Sequence, residues 1–218
     1  GLLSEAAERA DNLFGGIGSE LNYLRHRTRE HMKQLAFILL LTSALHAQHL
    51  GFDRNVYPGD NNLAALHRTF AFTGYWLNNP PGAMQNTWQG KRAVLSRNGF
   101  GFLVLFNGRL DAEILKAQRA HTSPAALGKK DAATAIADAE REHFAARTII
   151  FLDQEEGGRL LDEQAAYLLA WTETVAHSIY LPGVYASGQS VSEGHGHTIT
   201  TAQDIREQIA AQHLHTVA

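Results

Sequence analysis

Cysteine is absent from all 218 residues, which excludes disulfide staples, thiolate zinc centres and cysteine nucleophiles. Positive charge is not in excess either: 19 lysines and arginines face 22 acids, a net charge of −3. A dedicated nucleic-acid binder needs clustered cations to displace counterions from phosphates, so that class falls away. No run of residues approaches the roughly 20 apolar positions needed to span a bilayer. Gly157-Gly158-Arg159 lacks a P-loop lysine, and Ala186-Ser187-Gly188-Gln189-Ser190 lacks the first glycine of a G-x-S-x-G elbow. Internal repeats and low-complexity tracts are missing too. What remains is a globular composition, 44% hydrophobic and 19% charged, in a chain long enough to build its own core.

Methionine is scarce, and the first one is Met32. Met32-Lys33-Gln34 opens an apolar run, Leu35–Leu41, closed by Thr42, Ser43, Ala44, Leu45, His46 and Ala47. A basic start, a short apolar stretch and small residues are the parts of a secretory signal peptide, cleaved here after Ala44 or Ala47. Residues 32–47 are therefore expected to be a signal peptide and the protein to be secreted or periplasmic. The alternative is a buried strand or helix of a cytoplasmic fold. Residues 1–31 are helix-compatible but broken by Gly15-Gly16-Ile17-Gly18, and read as upstream sequence outside the domain.

From residue 48 onward, apolar runs alternate with helix-compatible stretches. Strands are expected at Leu50–Arg54, Phe70–Leu77, Gly101–Asn107, Thr148–Asp153 and Pro182–Ser187. Each is nearly continuous in apolar residues, as in a parallel sheet buried on both faces. Helices are expected over Leu63–Thr69, Trp88–Asn98, Asp131–Phe144, Asp162–Ser178 and Thr201–Ala211, with Trp88 and Trp171 as packing residues. Ser187–His197, rich in glycine and histidine, reads as a loop. Strand-then-helix repetition predicts an α/β fold, here a TIM-type (β/α)8 barrel. Eight units fill about 250 residues. Residues 48–218, with five to six units, are thus expected to form an incomplete barrel truncated at its C-terminus, His215–Ala218 starting a sixth strand.

A barrel builds its active site at the C-terminal ends of its strands, and those ends carry charge here. Asp153 and Glu155, two apart on one strand, share a face, and Asp53 ends the first strand. Like charges held close raise one pKa, giving a protonated acid beside ionised neighbours. Glycosidic hydrolysis uses that arrangement. Glu155 is the candidate general acid, with Asp153 and Asp53 as electrostatic partners. The plainer alternative is that these acids cap the next helix or bind a cation. Tyr57, Trp76 and Tyr185 are candidate stacking surfaces for sugar rings, and Arg54, Asn55 and Asn107 candidate hydroxyl ligands. The close histidine pairs His195/His197 and His213/His215 lack nearby acids, so neither metal nor cofactor is expected. Gly157-Gly158-Arg159 reads as a tight turn.

Several of these segments resemble the secreted bacterial glycoside-hydrolase-like barrels related to the family 25 muramidases. They are Gly51-Phe52-Asp53-Arg54-Asn55-Val56-Tyr57-Pro58-Gly59-Asp60, Phe72–Gly82, Gly99–Val104, Ile150–Arg159 and Gly183–Gly188. The resemblance implies a barrel with Asp53, Asp153 and Glu155 in the active-site positions. It also implies that Glu155 is the proton donor and that Asp153 orients the substrate's acetamido group. The muramidase pattern has a carboxylate on its last strand that finds no counterpart in this chain. Hydrolysis of polysaccharide or peptidoglycan glycan by a monomer is the expected function, with no nucleic-acid partner and no membrane in the mature form. The alternatives are a catalytically silent saccharide-binding barrel and an envelope protein that contacts other proteins.

Overall fold

In the computed structural model of the chain, the described residues are 49–154 and 157–214, and His49 opens one compact unit. The upstream segment (1–31), the expected signal peptide (32–47) and the expected sixth strand near His215 lie outside the described residues. Five parallel strands form one sheet in sequence order: β1 Gly51–Phe52, β2 Phe72–Trp76, β3 Gly101–Asn107, β4 Ile149–Gln154 and β5 Leu181–Ala186. Helices cross between them: α1 Leu63–His67, α2 Arg92–Arg97, α3 Asp111–Arg119, α4 Pro124–Arg141 and α5 Asp162–Ala176, with α6 Thr201–Ala211 last. This is an α/β sheet flanked by helices, consistent with an incomplete (β/α) barrel-like arrangement.

The strands form where they do because both of their faces are covered. Val104, Leu105 and Phe106 are consecutive in β3 and all buried, as are Ile150 and Leu152 in β4. Register follows directly, with Val104 opposite Ile150 and Asn107 opposite Asp153. Trp88 and Trp171 are fully buried, in keeping with a packing role. On α4, Gly128 lets α5 approach closely, because a Cβ there would fall on the Tyr167 carbonyl.

Besides β1 and α2, which are shorter than expected, three segments depart from expectation. Helix α3 occupies residues that showed no helix signal. Helix α4 begins at Pro124, ahead of the expected Asp131, where the Ser123 hydroxyl accepts the Ala126 N–H at 3.2 Å. The expected loop Ser187–His197 instead holds an antiparallel hairpin, β6 Val191–Gly194 and β7 His197–Ile199. Its turn, His195-Gly196, has φ of 50° and 78°, the doubly left-handed geometry that matches strand twist.

Candidate site at the strand carboxyl ends

Asp153, the penultimate residue of β4, lies between Asn107 of β3 and Tyr185 of β5 in register. It is only 5% exposed, whereas Tyr185 beside it is 39% exposed. Asp153, Gln154, Asn107, Gly108 and Arg109 line a depression of about 80 Å³. Gly108 fits there because its N–H donates to the Asp153 carbonyl at 3.1 Å, leaving no room for a Cβ. The Asn78 side chain extends the sheet: its carbonyl accepts the Asn107 N–H at 2.7 Å, and its amide donates to the Asn107 carbonyl at 3.0 Å. The Asn107 amide donates in turn to the Asn79 carbonyl at 2.9 Å.

A second group gathers around the end of β1. Trp76 donates its indole N–H to Asp53 Oδ1 at 3.1 Å, and Asp53 lies over Gly74, where a Cβ would meet the carboxylate. Trp76 itself is 2% exposed. Arg54 contributes its carbonyl, which accepts the Trp88 indole N–H at 3.1 Å, and the Asn55 amide donates to the Pro81 carbonyl at 2.8 Å. Tyr57 stands edge-on to Trp88, its ring facing the Lys91 ammonium and its hydroxyl donating to Asp60 at 2.8 Å. Burial first, then the hydrogen bond to Asp60, pushes the Tyr57 hydroxyl pKa up. The Asp60 carboxyl is held below its usual range by the bonds from Tyr57 and Lys91. The structure thus brings Asp153, Asn107 and Tyr185 together, and separately Asp53 with Trp76. Two strands, β2 and β3, stand between the strands that carry Asp53 and Asp153. Glu155 and Glu156 lie outside the described residues.

Two arginine anchors behind the strand ends carried no signal in the sequence. Arg109, after β3, pairs bidentately with Asp131 of α4, Nε to Oδ2 at 2.7 Å and Nη2 to Oδ1 at 3.0 Å. Asp131 also accepts the Tyr167 hydroxyl of α5 at 3.0 Å. Its hydrogen bond raises the Arg109 pKa further, and burial raises that of Tyr167. Arg159, after β4, reaches Glu193 of the hairpin at 2.6 Å, and Asp204 and Glu207 of α6 at 2.7 and 3.1 Å. Instead of serving only a tight turn, Gly157-Gly158-Arg159 is tied to both later elements, with Thr201 donating to the Gly158 carbonyl at 3.0 Å.

Histidine fills turns in this fold. His121, His143 and His213 follow α3, α4 and α6 with φ of 62°, 58° and 52°, the left-handed position usually given to glycine. Each helix end closes with paired bonds such as Phe144 N–H to Ala139 O and His143 N–H to Glu140 O. Among the described residues no group of three metal-type side chains converges.

A parallel strand–helix sheet with acid and amide side chains at its carboxyl ends is the arrangement of an incomplete (β/α) barrel-like domain, whose sites lie at those ends. The chain belongs to the family described as "Rv2525c-like, glycoside hydrolase-like domain", which it matches over residues 70–216. That range holds Asp153 and begins after Asp53. A solved structure, "1.07 A crystal structure of an uncharacterized B. stearothermophilus protein", shares the fold with a TM-score of 0.52 at 20% identity. The match covers 74% of this chain and 67% of that one. No curated protein matches the chain.

Proposed function

We propose that the strand carboxyl ends bind glycan, as a saccharide-binding domain of glycoside-hydrolase type. The observation that carries this reading is the group around Asp153. A carboxylate and two amide side chains border one depression, with an exposed tyrosine in register beside them. Carboxylates and amides hydrogen-bond sugar hydroxyls, and a tyrosine ring covers a sugar's apolar face. At about 80 Å³ the depression is well below a typical ligand pocket and suits one sugar substituent against an open surface. Trp76 serves from behind, by holding Asp53; Arg54, Asn55 and Tyr57 are the proposed second border. Cell-wall glycan is the proposed ligand, reached by a chain exported through residues 32–47 as a signal peptide. Calorimetry with peptidoglycan fragments and chitin oligomers, combined with product analysis, tests the reading. Binding without products is expected, and no heat with either glycan overturns it.

Hydrolysis is the second reading, favoured by a nearly buried Asp153 two residues before Glu155. Catalytic carboxyl pairs stand about 5–9.5 Å apart. The proposed pair is Asp153 and Glu155, with Asp53 as an electrostatic partner. Glu155→Gln is then expected to abolish release of reducing ends while glycan binding and melting temperature stay unchanged. Equal product from wild type and variant would dispose of hydrolysis and leave binding intact.

A further inference from the structure

On the helix side of the sheet lies a second concavity. Tyr75 and Trp76 are consecutive in β2 and point to opposite faces. Trp76 turns to Asp53, whereas the Tyr75 hydroxyl donates to Glu142, just beyond α4, at 2.6 Å. Beside that bond is a cleft of about 340 Å³, bordered by Gln89, Gly90, Arg92, Arg141, Glu142 and His143.

Arg92 is the unusual member. Its guanidinium lies over the Phe144 ring, 5.3 Å from the centroid, and Phe144 is locked edge-on to Tyr75 and Phe102. Its Nε is buried without an acceptor, and no carboxylate pairs with it among the described residues. The other arginines in comparable positions, Arg109 and Arg159, each have a buried aspartate. Glu142 does not fill the role. Its Oε2 accepts from Tyr75, and its Oε1 accepts the Gly90 N–H at 2.9 Å. Arg141 is partly neutralised by Asp138 at 2.7 Å, while His143 is exposed.

We propose that this cleft binds a phosphate-type oxyanion, with Arg92 as the principal ligand and Arg141 and His143 as flanking donors. A guanidinium held over an aromatic ring can still direct its terminal Nη groups to an oxyanion, the planar fork that a lysine lacks. Donors from two chain segments, Arg92 at the start of α2 and Arg141 with His143 beyond α4, meet a tetrahedral group from more than one side. The shared chemistry is a phosphate group, free in solution or carried on a lipid headgroup.

The test titrates the full chain by calorimetry with inorganic phosphate, at constant ionic strength set by sodium chloride. A parallel arm measures co-sedimentation with phosphatidylglycerol vesicles, against vesicles of phosphatidylcholine alone. Saturable phosphate binding that weakens at least tenfold in Arg92→Gln supports a free phosphate ligand. Vesicle binding with that same loss, and no phosphate heat, supports a headgroup. Arg92→Lys keeps the charge without the planar fork and is expected to lose most of the affinity. Lys129→Gln, an equal charge change on the exposed side of α4, is expected to leave it intact. Circular dichroism melting establishes that each variant is folded. Binding in neither arm, or equal weakening by Arg92→Gln and Lys129→Gln, overturns the proposal.

Discussion

Arg109 and Arg159 occupy matching places, each just beyond the carboxyl end of a strand and each captured by a buried aspartate on a helix. Their surroundings differ. Asp131 belongs to the crossover that leads from β3 to β4, and its second partner, Tyr167, is itself fully buried. Asp204 comes from α6, 45 residues beyond Arg159, and the remaining partners, Glu193 and Glu207, are solvated. The first anchor is part of the core and fixes where the β3 end lies. The second gathers the periphery, fastening the hairpin and α6 to the chain that follows Asp153. The two pairs are about equally exposed, 40% and 5% against 45% and 0%, so their different work comes from the elements and further partners they join.

The largest effect is expected from Asp131→Ala. It leaves the Tyr167 hydroxyl without an acceptor and Arg109 without a counter-ion. Fully buried pairs lose about 3–5 kcal/mol on such a change; Arg109 is partly solvated, so about 2–3 kcal/mol is expected. A melt should fall by about 5–10 °C. An unchanged melt would mean that the core anchor is no stronger than the peripheral one. Asp204→Ala comes next. The Leu160 N–H, which donates to Asp204 at 2.9 Å, then loses its acceptor, a loss of about 1–2 kcal/mol. Limited proteolysis should cut first in the hairpin, with the β1–β5 core still protected.

Glu193→Gln is expected to lower stability least, and its signature is in pH and salt. The Arg159 hydrogen bond holds the Glu193 carboxyl below its usual range. Because the folded pKa is depressed, the contribution is complete above the unfolded value of about 4.3 and disappears as pH falls through the folded one. The variant should therefore converge with wild type in acid and differ from it only above that window. Added salt should narrow the difference. A difference that persists in acid would reassign Glu193 to packing.

Much of the sheet was legible because buried parallel strands announce themselves as apolar runs. Gly101–Asn107 is expected and observed with identical bounds, and β4 and β5 differ by a residue at each end. Helix α3 was not legible: it opens at Leu110, where no side chain can cap, and its first-turn bond comes from Glu113 reaching back to the Leu110 N–H. The hairpin was hidden because its residues do not alternate, though His195-Gly196 stands where Asn-Gly would have signalled a turn. Asp153, Asn107 and Tyr185 could be grouped from strand ends alone, since register brings such residues together. Arg109 with Asp131 and Arg159 with Asp204 could not, because partners 22 and 45 residues apart share no periodicity.

The left-handed histidines have a practical consequence. At the ends of α3 and α6 the stop is made by backbone bonds, Thr122 N–H to Ala117 O and Leu214 N–H to Ile209 O, with no help from the imidazole. Glycine there would relieve left-handed strain but free the unfolded chain, two effects of about 1 kcal/mol and opposite sign. Chemistry at positions 121 and 213 is thereby uncoupled from helix length. Both are natural attachment points for a spectroscopic label, in a chain with no native thiol to compete for it.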